Sequence, residues 1–159
     1  MSTPTADYSN LLRESVRQAK ANAPRAVDDL LRCASESAKA VEEVTRGAAA
    51  LELVPINQEN GAAPAYQLLL RRVGSEAPPS DLGVYSVTAA GYPVQRWYSR
   101  NAWDSHPDRP NGQYSGIGEL EGRFKWMVSH PESRLVVLVT FFQDQTPSST
   151  SATAGPAPN

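Results

Sequence analysis

The chain has 159 residues, of which 40% are hydrophobic, and a chain of this length can bury a core without help from a metal or disulfides. Its 15 basic and 17 acidic residues give a formal net charge of −2, so overall charge provides no attraction to nucleic acid or to an anionic membrane. The one cysteine, Cys33, excludes an internal disulfide and a four-cysteine zinc site, and the longest apolar run is too short to cross a bilayer.

Residues 1–54 are predicted to form an extension of two helices. Asn22, Ala23 and Pro24 separate them, because proline is tolerated in the first turn of a helix and not inside one. From Pro24 to about Leu51, small and apolar residues repeat with alternating spacings of three and four. This narrow stripe predicts packing against one other helix, either the first helix as a hairpin or a copy in another subunit; a helix lying alone on the sheet is the alternative. The residues predicted to mediate oligomerisation are Val27, Leu30, Ala34, Val41 and Val44.

A linker and three strands are predicted to follow the helices. Residues 55–63 carry amides, turn formers and small residues without periodicity, which is typical of a linker. The period then changes from helical to extended, and AYQLLLRRV (65–73) predicts the first strand. The segment VYSVTAAGYPVQRWYS (84–99) predicts two further strands joined around Gly91.

A helix and a last strand are predicted next. The run RLVVLVTFF (134–142) is apolar on both faces of a strand, which predicts a central position in the sheet. Residues 144–159 have nothing large enough to bury, and we expect them to be disordered. The helix before Pro131 is marked by apolar residues at helical spacing, and these are Ile117, Leu120, Phe124, Met127 and Val128.

The predicted order of elements is therefore α-α-β-β-β-α-β. This order predicts an α+β domain over residues 64–143, with a four-stranded, largely antiparallel sheet and one helix packed on it. Because a helix precedes the last strand, the chain can cross over, and that strand can run parallel to a neighbour in the middle of the sheet.

The segment VQRWYSRNAWDSHPDRPNGQYSG (94–116) combines tryptophan, tyrosine and arginine. Strand alternation in its first six residues separates two faces, at least one of which is expected to belong to the core. Among the aromatic residues, Trp97 is the one most expected to be exposed or to stack on an arginine. Residues 101–116 are rich in turn formers and predict a long irregular loop that faces a partner. The residues predicted to bind the partner are Trp97, Arg100, Trp103, His106, Arg109 and Tyr114.

Three classes of function compete. A non-catalytic protein-interaction module, such as a small subunit, adaptor or inhibitor, is favoured because Trp, Tyr and Arg dominate binding hot spots and the sequence has no catalytic motif. A small enzyme using Asp104 and His106, with His130 as another base, lacks a residue for the nucleophile. Nucleic-acid binding is the first alternative, with Trp97 and Tyr98 stacking on bases beside Arg71, Arg72, Arg96, Arg100, Arg109, Arg123 and Arg134. We expect a protein partner, a cytoplasmic location, and no membrane contact, cofactor or metal.

Overall fold

The computed structural model describes residues 7–56 and 63–145. Within these residues the chain forms four helices and five strands, and the prediction of an α+β fold is confirmed. None of these helices is long and apolar enough to cross a membrane. In chain order the elements are α1 (Tyr8–Thr45), β1 (Ala49–Ile56), β2 (Ala65–Arg72), β3 (Ser80–Thr88), β4 (Gly91–Trp97), α2 (Arg100–Ser105), β5 (Gly112–Tyr114), α3 (Ile117–Ser129) and α4 (Arg134–Gln145).

The five described strands form one antiparallel sheet in which each strand pairs with the next along the chain. β4 begins directly after the turn from β3 with Gly91, whose φ of +93° favours glycine. The prediction of four strands is wrong, and so is the prediction that the last strand follows a helical crossover. Between β4 and β5 the chain instead forms the short helix α2, and β5 then lies at the edge of the sheet.

The first strand, β1, lies earlier than predicted. α1 ends at Thr45, with Arg46 in the left-handed conformation, and not near Leu51 as predicted. β1 therefore takes residues from the predicted helical extension and from the start of the predicted linker. The rest of that linker (57–62) and the predicted tail from residue 146 onward lie outside the described residues.

α1 is one helix of 38 residues, so the prediction of two helices separated at Pro24 is wrong. Pro24 removes one intrahelical hydrogen bond, but it lies on the exposed side of the helix, where water can bond to the carbonyl that loses its partner. Packing holds the helix together across this point, because Ala26 and Leu30 are fully buried. The β3–β4 turn also touches the helix backbone, and an added Cβ at Gly91 would lie 2.7 Å from the carbonyl oxygen of Asn22.

The apolar stripe of α1 packs against the sheet and α3 of the same chain. Leu30, Ala34 and Val41 are buried, and Val27 packs against the same core. Val44, the fifth residue predicted for oligomerisation, is 60% exposed. The alternative of a helix lying on the sheet therefore describes α1, and most of the stripe is not accessible to another helix.

The run RLVVLVTFF lies in helix α4, so the prediction of a central strand is wrong. Ser133 starts this helix, because its Oγ accepts a hydrogen bond from the N–H of Val136 at 3.1 Å. A short apolar run does not itself distinguish a helix from a strand, and α4 packs mainly on α3 and α1. The residues that pack into the core at helical spacing are Leu135, Leu138, Val139 and Phe142.

The two faces of the sheet are covered to different extents. The main core lies between one face and helices α1, α3 and α4. A smaller core on the other face contains Ala65, Val84 and Trp97, with Ala102 and Trp103 of α2 packed on them. Since alternate residues of a strand share a face, β4 directs Val94 and Arg96 toward the main core and Trp97 toward α2.

Candidate functional site

The segment predicted as a long irregular loop, residues 101–116, includes most of α2 and all of β5, so that prediction is wrong. Ser99 caps α2, because its Oγ accepts a hydrogen bond from the N–H of Ala102 at 3.0 Å. β5 pairs with β4 at the edge of the sheet. The segment is therefore tied to the sheet at both of its ends.

Trp97 is buried in the smaller core with 1% of its surface exposed, so the expectation that it is exposed or stacks on an arginine is wrong. Its Nε1–H donates a hydrogen bond to the carbonyl oxygen of His106 at 2.9 Å. The half-buried ring of Trp103 meets it edge-on, with ring centroids 4.6 Å apart and planes at 84°. Trp97 therefore anchors α2 to the sheet.

The other predicted partner-binding residues lie apart. Arg100 begins α2, and its Nε–H donates a hydrogen bond to Oδ1 of Asp104 at 3.1 Å. His106 and Arg109 are exposed after the end of this helix. Tyr114 lies on the opposite face of the sheet, packed against the main core, and burial raises the pKa of its hydroxyl. The structure thus does not bring the six residues into one surface.

The residues of the enzyme alternative make contacts that stabilise local structure. Asp104 forms an ion pair with Arg100. His130 ends α3 and stacks on Trp126, with ring centroids 4.9 Å apart, and its Nδ1 accepts a hydrogen bond from the N–H of Glu132 at 3.2 Å. Over residues 7–56 and 63–145, no three His, Cys, Asp or Glu side chains are grouped in a way that could hold a metal ion.

A cleft of about 240 Å³ opens between the end of β4, helix α3 and the start of α4. Tyr98 and Trp126 stand at this cleft and are 57% and 41% exposed. We call it the arginine cleft, because its lining contains three arginines and no carboxylate. The lining residues are Leu82, Arg96, Tyr98, Arg123, Trp126, Met127, Ser133, Arg134 and Leu135.

Three separate elements position the arginines. Arg96 lies on β4 two residues after the buried Val94 and shares its face, toward the helices. On α3, the guanidinium of Arg123 lies over the ring of Trp126, 4.9 Å from the ring centroid. Arg134 is the first residue of α4.

The positive charges of the cleft are not neutralised within the described part of the protein. None of the ion pairs found there includes Arg96, Arg123 or Arg134. The Nε–H groups of Arg96 and Arg123 are buried with no hydrogen-bond partner among the described residues. A buried donor without a partner is costly, so the described packing leaves these two side chains incompletely satisfied.

The first turn of α4 adds to the positive potential of the cleft. Arg134 and Leu135 line the cleft, and the amide N–H groups of a first helical turn have no carbonyl partner within their own helix. The positive end of the α4 dipole therefore lies at the cleft. Ser133 joins α3 to α4 at this point, because its Oγ donates a hydrogen bond to the carbonyl oxygen of Met127.

The sequence identified the arginines of the cleft but not their grouping. Arg96, Arg123 and Arg134 belong to the seven arginines of the nucleic-acid alternative, and the structure brings these three together with Tyr98. Trp126 was missed, although its spacing of three from Arg123 places both on one face of a helix. The remaining arginines of that alternative lie elsewhere, with Arg71 and Arg72 on β2 and Arg100 and Arg109 in or near α2.

Comparisons with protein-family models, with curated protein sequences and with solved structures found no match. A function for this protein is therefore inferred from the geometry and charge of the site.

Proposed function

We propose that the protein is a non-catalytic interaction module that binds an acidic segment of a partner protein in the arginine cleft. The observation that carries this proposal is the group of three arginines, Arg96, Arg123 and Arg134, without a carboxylate in the cleft lining. The class of function is the one that the sequence favours, but the binding surface differs from the predicted one.

An anionic group is the ligand that this cleft suits best. Guanidinium groups bind carboxylates through paired N–H donors, and three guanidinium side chains line this one cleft. The protein as a whole carries a formal net charge of −2, so its three clustered arginines form a local positive site on an otherwise acidic molecule. This arrangement favours an anionic group at one point over general attraction to anions.

The size and edges of the cleft favour a protein segment over a nucleic acid. Non-specific nucleic-acid binding uses an extended basic groove that follows several phosphates, whereas the cleft measures about 240 Å³ and four of the seven candidate arginines lie outside it. Tyr98 and Trp126, both exposed at the cleft, are of the residue types that dominate protein–protein hot spots. One or two acidic side chains of a partner, with an apolar neighbour against these rings, would fill the site.

Binding of fluorescent peptides to the full chain tests the proposal. The probe is a peptide containing two glutamates beside a leucine, compared with the same peptide carrying glutamines. We expect the acidic peptide to bind the wild type. Arg123→Gln and Arg134→Gln should each weaken the affinity for this peptide roughly 10- to 100-fold, as expected for loss of a charge-assisted hydrogen bond. Arg71→Gln is the matched control, because Arg71 is an exposed arginine that pairs with Glu52 at 2.7 Å, outside the cleft.

Two outcomes would contradict the proposal. In the first, the glutamine peptide binds as well as the glutamate peptide, or Arg71→Gln weakens binding as much as the cleft variants do. In the second, a single-stranded oligonucleotide binds more tightly than the acidic peptide and its affinity falls steeply with salt, which would favour the nucleic-acid alternative.

A further inference from the structure

The N-terminal part of α1 carries an apolar strip that the described residues do not cover. Residues 8–18 are all exposed, including Tyr8 at 76%, Leu12 at 66% and Val16 at 43%. Leu12 lies 18 residues before the buried Leu30, which is five full helical turns, so the strip continues the buried face of the same helix. We call residues 8–20 the α1 extension.

The α1 extension projects beyond the sheet. The β3–β4 turn meets the helix at Asn22, where an added Cβ at Gly91 would lie 2.7 Å from its carbonyl oxygen. From Tyr8 to Ala19 the apolar strip is about 17 Å long at 1.5 Å per residue. Exposed apolar side chains in a continuous row are typical of a surface that a partner covers.

A groove of matching length lies at the other end of the same helix, between α1, α3 and α4. It consists of two adjoining cavities of about 290 and 210 Å³, which share Ala40 and Val128 in their linings. Along α1 these linings extend from Arg32 to Val44, about 18 Å at 1.5 Å per residue. Its α4 side is largely apolar and includes Val136 and Val139. We call this the α1–α4 groove.

A basic pair on the extension and an acidic pair beside the groove have the same spacing, although the lining of the first cavity also contains Arg32, Glu121 and Lys125. Arg13 and Lys20 are exposed and lie seven residues apart on the α1 extension. Glu36 and Glu43 are exposed, lie seven residues apart and flank Ala40 of the groove at spacings of four and three. Both pairs of charges are therefore separated by about 10 Å along their helix, and opposite signs meet when the extension lies in the groove.

We propose that the α1 extension of one copy of this protein docks, as a helix, in the α1–α4 groove of a second copy. The extension cannot reach the groove of its own chain, because both belong to one continuous helix and lie about 36 Å apart along it. A helix in a groove is a common recognition mode. Two reciprocal contacts of this kind would bury on the order of 2,000 Å², as stable interfaces do. This inference does not depend on the arginine cleft.

Light scattering of full-length variants tests the inference by measuring their molecular mass. The protein concentration is roughly 100 µM, which populates contacts of moderate affinity. The extension variant is Leu12→Glu combined with Val16→Glu, and the groove variant is Val44→Glu, at a position exposed enough to leave the fold intact. Leu31→Glu is the matched control, since Leu31 is 41% exposed on the same helix but lines neither cavity. We expect the wild type and the control to self-associate and both test variants to associate at least about tenfold more weakly.

An equimolar mixture of the two test variants separates this inference from others. The intact extension of the groove variant can enter the intact groove of the extension variant, so the mixture should associate more than either variant alone. If the extensions paired with each other instead, the groove variant would remain as large as the wild type, and the proposal would be overturned. A wild type that is monomeric at this concentration, or a mixture no larger than its components, would also overturn it.

Discussion

Replacing Trp97 with phenylalanine tests whether this residue anchors α2 to the sheet. The substitution keeps an aromatic ring in the smaller core but removes the Nε1–H that donates to the carbonyl oxygen of His106 at 2.9 Å. That carbonyl also accepts a hydrogen bond from the N–H of Arg109 at 3.0 Å, so it keeps one partner. The expected loss is therefore that of one hydrogen bond and some packing, without the larger penalty of an unpaired buried carbonyl.

The magnitude follows from these two losses. A neutral hydrogen bond contributes about 1 kcal/mol to the free energy of unfolding. Phenylalanine is smaller than tryptophan by about 40 Å³, and Trp97 is 1% exposed, so its neighbours fill the vacated space only in part. At about 24 cal/mol per Å³, the remaining cavity lowers the free energy of unfolding by roughly 1 kcal/mol more. The sum of about 2 kcal/mol corresponds to a fall in Tm of roughly 4–8 °C for a chain of this size.

Thermal and urea unfolding, followed by circular dichroism, measure this change. Tyr98→Phe is the matched control: Tyr98 is the next residue along the chain, is 57% exposed, and should change stability by less than about 0.5 kcal/mol. A Trp97→Phe variant whose Tm lies within about 1 °C of the wild type would show that the indole neither fills the smaller core nor bonds to His106. The packing of α2 would then need another explanation.

Two further variants test how the β3–β4 turn is held against α1. Gly91→Ala should lower the free energy of unfolding by more than about 2 kcal/mol, because a Cβ there would lie 2.7 Å from the Asn22 carbonyl oxygen and φ is +93°. The control Gly47→Ala, with φ +79° and nothing within 4 Å of the added Cβ, should lower it by only about 1 kcal/mol. Equal losses for the two variants in urea unfolding would contradict the close contact at Gly91. Burial, together with the hydrogen bond that the Tyr92 hydroxyl donates to Asp29 at 2.8 Å, raises the pKa of Tyr92. The protonated hydroxyl therefore stabilises the folded protein fully below the unfolded pKa of about 10, and this contribution is lost as pH rises further. Tyr92→Phe should therefore have a lower Tm than the wild type at pH 7, by a gap that narrows above about pH 10, and a constant gap would argue against this linkage.

Elements with a regular pattern were predictable from the sequence. The spacing of Leu120, Phe124 and Met127 predicts α3, and all three are buried in the structure. Alternation and the glycine turn predict β3 and β4, which pair around Gly91. In these segments the local preference of the chain and its packing favour the same structure, so the sequence alone is sufficient.

Other elements depend on packing between distant parts of the chain. Pro24 is a local reason to end a helix, but burial of Ala26 and Leu30 against the sheet favours one continuous helix. Trp97 has polar neighbours in sequence, yet α2 covers its face of the sheet and buries it. No pattern within a single segment contains this information, because the covering element comes from elsewhere in the chain.

The arginine cleft could not be predicted as a site for the same reason. Its residues come from β3, β4 and its end, α3, and the start of α4, and Arg96 and Arg123 are 27 positions apart in the sequence. In the sequence, the seven arginines of the nucleic-acid alternative have acidic residues interleaved among them, which is typical of an ordinary solvated surface. Only the order of the strands and the packing of α3 determine which three arginines face the same space.

α4 shows how the two proposed surfaces are related. Its sequence is apolar on every side, which is typical of a helix that is buried on every side. In the described chain, Leu135, Leu138, Val139 and Phe142 face the core, while Val137 and Phe141 on the outer side are 54% and 53% exposed. The first turn of α4 lines the arginine cleft, and later turns line the α1–α4 groove, with Leu135 in both linings. A second copy docked in that groove would cover the half-buried Val136 and Val139, whereas Val137 and Phe141 line neither of its cavities, so the proposed contact accounts for only part of the apolar surface of α4.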